Sequence, residues 1–192
     1  GCEAACPSSV PFGRLRDDTL AALPPPPSRL RRVGEGMALK IVLPRHRLLL
    51  AVTRVLIVAQ RLRLVPRRFG LPRLQARSLR PLEVPVGGSP DAWIFTGCVM
   101  DAWMRDVHRS AVRVMRATGA TVARPGSGGD CCGALHRHAG RRGEAERLAR
   151  RVMASMPGEA PIVVDSAGCG AAMKEYGRSE EHTSELQSLA YL

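Results

Sequence analysis

Two adjacent cysteines stand in a glycine-rich stretch, Gly126-Ser-Gly-Gly-Asp-Cys-Cys-Gly133. Neighbouring cysteines rarely join each other, because a disulfide strains the peptide between them. As thiolates they hold soft metals where the backbone bends sharply, and the glycines at 126, 128, 129 and 133 permit that bend. Cys98 precedes this stretch and Cys169 follows it. Each comes after an apolar, strand-like run and sits beside glycine, as Gly97-Cys98 and Gly168-Cys169-Gly170. Three loops of one kind, each bearing thiols, point to one site.

Four thiolates suit an iron–sulfur cluster, which needs soft ligands in a shielded pocket. Zinc accepts the same sulfurs, although its sites usually pair C-x2-C knuckles, a pattern this sequence lacks. Thiol–disulfide exchange at Cys131 and Cys132 is a third chemistry. Inert, buried cysteine is the bland alternative for Cys98 or Cys169 alone. His136 and His138 follow the paired cysteines closely, and each reads more readily as a surface histidine than as a ligand. Asp130 reads as a cap for the next helix. Lys174 and Glu175 read as a solvated helix turn.

At the N-terminus, Cys2-Glu-Ala-Ala-Cys6-Pro7 has the spacing C-x3-C-P, the tail of a ferredoxin-type run C-x2-C-x2-C-x3-C-P. Cys2 and Cys6 would be its third and fourth cysteines. The first two would lie upstream, so a 4Fe-4S cluster here is incomplete within this chain. At the other end, Arg178 to Ser188 reads as the translated adapter of a sequencing library. Residues 178–192 are therefore set aside as an artefact, and His182 with them.

The elements that must position these groups follow from pattern. The chain has 192 residues and a net charge of +12, enough for one domain or two small ones. All but Lys40 and Lys174 of its 29 basic residues are arginine. With so much alanine, glycine and proline, that usage reflects a GC-rich, bacterial genome more than a nucleic-acid partner. Aromatic residues are few, which argues against stacking platforms for single strands. Six cysteines and no signal peptide favour a reducing compartment, so the expected location is cytoplasmic.

Val10 to Leu23 reads as a short helix stopped by four prolines at 24–27. Residues 28–80 are helical in pattern and basic. The clearest stretch, His46 to Val65, places Leu48, Leu49, Val52, Val55, Leu56, Ala59 and Leu62 on one face and Arg47, Arg54 and Arg61 on another. Arg54 falls in its middle and the apolar run is short, so it predicts no transmembrane segment. It reads as a helix packed on protein, with the membrane surface as the alternative. Prolines at 66, 72, 81, 85 and 90 mark a linker.

Beyond Asp91 the pattern alternates. Strands are predicted at 92–96, 121–123 and 161–165. Helices are predicted at 101–118 (Val107, Ala111, Val114 and Met115 inward), 133–140 and 142–156, and from Ala171. This is an α/β pattern: a small parallel three-stranded sheet with crossover helices. In such sheets the ligand site lies beyond the carboxyl ends of the strands. Cys98, Cys131, Cys132 and Cys169 all fall there, and helix N-termini would lower their pKa values.

These cysteines resemble the cysteine-rich CCG domain of the heterodisulfide reductase and glycolate oxidase iron–sulfur proteins. Thr96-Gly-Cys-Val-Met100, Cys131-Cys-Gly-Ala-Leu135 and Ala167-Gly-Cys-Gly-Ala-Ala-Met-Lys-Glu-Tyr176 look most like the glycolate oxidase (glycolate dehydrogenase) iron–sulfur subunits. The general pattern ends in C-x-x-C, whereas here Cys169 is followed by Ala172, as in the glycolate oxidase branch. The resemblance implies the end of a 4Fe-4S ferredoxin-type domain at 1–23, a proline- and arginine-rich helical linker at 24–90 and an incomplete CCG domain at 91–177. It also implies iron–sulfur ligation by Cys2, Cys6, Cys98, Cys131, Cys132 and Cys169. The implied role is electron transfer in an oxidoreductase: flavin-containing partner subunits oxidise glycolate, and this subunit passes electrons to a membrane acceptor. Peripheral attachment to the inner face of the cytoplasmic membrane would follow. No catalytic residue for substrate chemistry is expected on this chain. The alternatives are a heterodisulfide-reductase-like or lactate-oxidation subunit, and a zinc-stabilised, arginine-rich module binding nucleic acid or protein.

Overall fold

The computed structural model describes residues 7–8, 10–23, 28–66 and 70–177. Cys2, Cys6, the four prolines at 24–27 and residues 178–192 lie outside the described part, and so do the expectations placed on them. Three strands, β1 (Ala92–Phe95), β2 (Val122–Ala123) and β3 (Ile162–Val164), form a parallel sheet in the order β2-β1-β3. The register sets Trp93 against Ala123 on one side and against Ile162 on the other. β1 is central and entirely buried, which is why it reads as an unbroken apolar run rather than an alternating one. Trp93 and Phe95 enter one core with Val152 and Met156, while Ile94 enters the opposite one with Val112 and Val122. The period of two along the strand thus divides the two faces. Asp91 pins the starts of β1 and β2, its carboxylate accepting bonds from the Thr121 backbone N–H at 2.8 Å and hydroxyl at 2.6 Å.

The crossover elements are α4 (Val99–Trp103), α5 (Arg105–Ala117), α6 (Ala134–His138), α7 (Arg142–Ser155) and α8 (Ala167–Lys174). One helix was expected over 101–118; two are found, broken at Met104, which lies off the helical region at φ −135° and ψ 35°. Of the face expected to point inward on α5, Ala111 and Met115 pack against the core, but the most deeply buried positions lie beside them. Arg105, His108 and Val112 point inward, and Val114 is 69 % exposed. Hydrophobicity alone misplaced that face because two polar side chains are buried with internal partners.

N-terminal to the sheet come α1 (Phe12–Ala22), α2 (Arg29–Met37), a π-helical turn (Ala38–Val42) and α3 (His46–Arg61). Within the expected linker, the π-helical turn and α3 contribute side chains to the core, while α2 buries none of its described side chains. Leu39, Leu43 and Leu49 share a core with Cys98, Ala102, Cys131 and Leu148. α3 buries Leu49 of the predicted stripe together with Thr53 and Ile57, leaves Leu48, Leu56 and Ala59 partly buried, and exposes Val52, Val55 and Leu62. Thr53 takes an inward place because its hydroxyl accepts a bond from Trp103 Nε1 at 3.2 Å. Arg47, Arg54 and Arg61 are exposed, as the pattern predicts. Among the described residues, no helix is long and apolar enough to cross a membrane. After α3, Leu82 and Val84 are buried, and the backbone at 85–87 bonds to Arg124 on the outer side of β2. That edge of the sheet is thereby covered, whereas Ile162 and Val163 on β3 remain partly exposed.

A buried ionic network joins these layers. Asp101 on α4 receives Nε of Arg105 at 2.8 Å and a second, shorter guanidinium bond, and it meets His46 Nε2 of α3 at 2.9 Å. Arg105 also donates to the carbonyls of Leu79 and Arg80. Burial by itself would raise the Asp101 pKa, but the bonds and charges of His46 and Arg105 outweigh it and hold the carboxyl at about 2. A depressed folded-state pKa stabilises the fold above the unfolded value and is lost as pH falls. Asp101 should therefore contribute about 2 kcal/mol at neutral pH that disappears between roughly pH 4 and 2. Asp101→Ala should cost about 3–5 kcal/mol, because it strands the buried Arg105. Denaturant titrations of both proteins against pH will check this: the acid-side loss in the parent should be missing from the variant.

Candidate metal centre

The carboxyl ends of the three strands feed the loops that carry the thiols. Cys98 is the residue immediately before α4, Cys131 and Cys132 precede α6, and Cys169 lies in the first turn of α8. The last of these departs from expectation, since α8 begins at Ala167 rather than Ala171. Cys98, Cys131 and Cys132 are buried, and Cys169 is partly so. The sheet thus brings together the four thiols that the sequence singled out.

They meet as two pairs. The Cys98 thiol is in hydrogen-bond contact with Cys131, and Cys132 with Cys169. The pairs are close to one another, for a β-carbon on Gly97 would come within 3.3 Å of Cys169 Sγ. Among the described residues, no group of three or more His, Cys, Asp or Glu stands in the arrangement of a single-ion site. Within each pair the proton is shared unequally. The bond from Cys131 lowers Cys98 below the ordinary thiol range against the effect of burial, and the same bond, with burial, raises Cys131. The bond from Cys132 brings Cys169 down to about 7, aided by the Ser166 side chain, while Cys132 rises. The expectation that all four pKa values fall is corrected: mutual contact lowers Cys98 and Cys169, while the same contact and desolvation raise Cys131 and Cys132.

Backbone amides supply the other favourable contacts. Val99 N–H lowers the pKa of Cys98, Gly133 N–H that of Cys131 and Ala134 N–H that of Cys132, each acting against larger or comparable raising effects. The loop can present these amides because Gly133 adopts φ 81°, which glycine reaches without penalty. A β-carbon there would also lie 2.8 Å from the Ala145 carbonyl oxygen of α7. Soft donors, buried and ringed by N–H groups, suit an anionic metal–sulfur group, so the residues present fit one.

The histidines serve elsewhere. His136 is buried, with Nε2 at 2.8 Å from the Leu39 carbonyl, and ties α6 to the π-helical turn. His138 is half exposed and meets Asp17 of α1 at 3.1 Å, beside an Arg137–Asp17 ion pair. His136 was expected at the surface; its inward role arises because the helices before the sheet pack over α6. Asp130 gives α6 no side-chain cap, contrary to expectation, since Gly133 occupies the cap position. Lys174 is exposed as expected.

Three participants escaped the sequence reading. Tyr176 donates its hydroxyl to the Cys132 carbonyl at 2.8 Å, and burial, with the nearby thiols, raises its pKa. Its spacing of seven from Cys169, two helical turns, was a usable signal. His108 and Asp165 form a buried pair at 2.5 Å. Only the shared inward face of residues 105, 108 and 112 could have suggested it.

Comparison with known proteins follows the same residues. Residues 92–174 match the family model described as a cysteine-rich domain, CCG. The chain is 30 % identical to the glycolate oxidase iron–sulfur subunit of Escherichia coli K12, over 92 % of this chain and 44 % of that protein. It is 23 % identical to a Bacillus subtilis 168 protein named "Probable glycolate oxidase iron-sulfur subunit", over 91 % of this chain and 45 % of the other. A shorter match, 37 % identical over 47 % of this chain and 19 % of the relative, is to a fumarate reductase (CoM/CoB) subunit of Methanothermobacter marburgensis. The chain thus spans less than half the length of the curated relatives it matches. No solved structure matches it.

Gly133→Ala should destabilise the protein by more than about 1 kcal/mol, because it combines a left-handed backbone with a backbone clash. The clash is with the main chain of α7, which cannot swing aside as a side-chain tip could. Thermal unfolding beside Gly143→Ala, where a β-carbon meets nothing within 4 Å, will separate this from a general glycine effect.

Proposed function

With residues 92–174 carrying a CCG cysteine-rich domain, we propose that this chain belongs to the electron-transfer iron–sulfur subunit of a glycolate-oxidising complex. The observation that carries the reading is the meeting of Cys98, Cys131, Cys132 and Cys169 beyond the strand ends, in contact pairs under N–H donors. These four side chains would hold an iron–sulfur cluster, and Cys2 and Cys6 would contribute to a 4Fe-4S centre of ferredoxin type. When bound, such a cluster supplies one-electron storage at a potential set by burial and by hydrogen bonds to sulfur. The chain's own residues shield that centre. Leu39, Leu43 and Leu49 close over Cys98 and Cys131, while Tyr176 holds the Cys132 backbone. Substrate oxidation falls to flavin-containing partner subunits, and electrons leave for a membrane acceptor from a cytoplasmic or inner-face peripheral position. The names of the relatives support this reading.

A second reading has its own support. The shorter but higher-identity match to a fumarate reductase (CoM/CoB) subunit favours the same electron-transfer role with a different substrate on the partner. Heterodisulfide-reductase-like chemistry belongs to this second class.

The test is iron and acid-labile sulfide analysis with an electronic spectrum on the complete protein, purified without oxygen, beside a Cys131→Ser, Cys132→Ser variant. Iron with matching sulfide, partly lost in the variant, is the expected result. Iron unchanged by the variant would confine clusters to the ferredoxin-type cysteines. Zinc without sulfide would overturn the electron-transfer reading and favour the arginine-rich interaction module.

A further inference from the structure

His108 occupies a place where an apolar residue would ordinarily pack. It lies on α5 one turn before Val112, and its side chain is fully buried. Nδ1 stands 2.5 Å from Asp165 Oδ2, and the Asp165 side chain is 11 % exposed. The remaining polar atoms of the pair, His108 Nε2 and Asp165 Oδ1, are both buried without a hydrogen-bond partner among the described residues. An orphaned nitrogen and an orphaned oxygen on one buried pair are costly, and such sites usually serve a function.

The location supplies that function. Asp165 is the first residue after β3 and opens the segment leading to Cys169. Ser166 precedes the first turn of α8, and its side chain reaches the Cys169 thiol. At Cys169 the Asp165 carboxylate opposes ionisation and the His108 charge favours it. A carboxylate beside an anionic centre would repel added electrons unless a cation accompanies it. Within the iron–sulfur reading above, we propose that His108 is a positioning residue for the centre. It orients Asp165, so fixing the segment that presents Cys169, and offsets the carboxylate's charge, so setting the electron affinity at the Cys132–Cys169 side.

Two substitutions should move the potential in opposite directions. His108→Gln leaves the carboxylate near Cys169 without the charge that favours ionisation there, so the reduction potential falls. Asp165→Asn removes the carboxylate, so the potential rises. The double variant should return toward the parent value. The experiment is an anaerobic redox titration of the complete protein, followed by absorbance and electron paramagnetic resonance, with iron and sulfide measured in every sample. Opposite shifts at parental iron content support the inference, since a merely structural pair would give no such sign pattern. A parental potential in fully loaded His108→Gln overturns it. Should that variant fail to load, Asp165→Asn carries the test, and an unchanged potential there is equally fatal. Absence of iron at the CCG cysteines in the parent protein sinks the iron–sulfur reading itself, a separate result. In that case the downfield Nδ1–H proton resonance of His108, lost in Asp165→Asn, still tests the pairing.

Discussion

The peptide bond between Cys131 and Cys132 is the constraint on which the site depends. Neighbouring residues in extended or turning backbone send their side chains different ways. Here that simple fact divides the thiols between two cores. Cys131 enters the core built with Cys98, Leu39, Leu43 and Leu49, and Cys132 enters the one built with Trp93, Phe95 and Val152, against which Cys169 packs. The thiol contacts follow the same division, Cys98 with Cys131 and Cys132 with Cys169. The glycine after the pair, at φ 81°, turns the chain into α6 before either core is disturbed.

Burial and charge are balanced differently on the two sides. On the helical side, Asp101, Arg105 and His46 form an ion network that shares its charge among three groups and several carbonyls. On the sheet side, His108 and Asp165 pair with each other and leave Nε2 and Oδ1 without a partner among the described residues. The first arrangement resembles a structural tie, with Asp101 and Arg105 paired and hydrogen-bonded, although His46 Nδ1 is left without a partner among the described residues. The second leaves polar capacity unused next to Cys169, as expected where a group awaits a ligand or tunes one.

Much of the sheet and its cysteines was legible because both signals are local. An apolar run such as Ala92–Phe95 declares a buried strand, and a glycine beside a cysteine declares a bend. The parallel order then places Cys98, Cys131, Cys132 and Cys169 beyond one edge without further information. What could not be read depends on long-range partners. Thr53 lies inward only because Trp103 donates to it, so the stripe expected through Val52 and Val55 was rotated. His136 is buried only because the π-helical turn offers the Leu39 carbonyl. The helices before the sheet looked like a linker because proline and arginine dominate them. Their few inward leucines carry the packing, and composition averages those away.

The register of the sheet also fixes an order of events in time. β1 is central, yet its partner β3 comes last, after two crossovers, and the loops bearing the thiols follow all three strands. A nascent chain that has emerged only as far as α6 already holds Cys98, Cys131 and Cys132, but lacks the strand that anchors Cys169. Closing so long a loop is slow because its entropy must be lost before any contact rewards it. Bringing Cys169 to the other three thiols therefore waits upon a late, non-local step of folding. Until then Cys98, Cys131 and Cys132 lack the partner loop that the finished sheet brings to them.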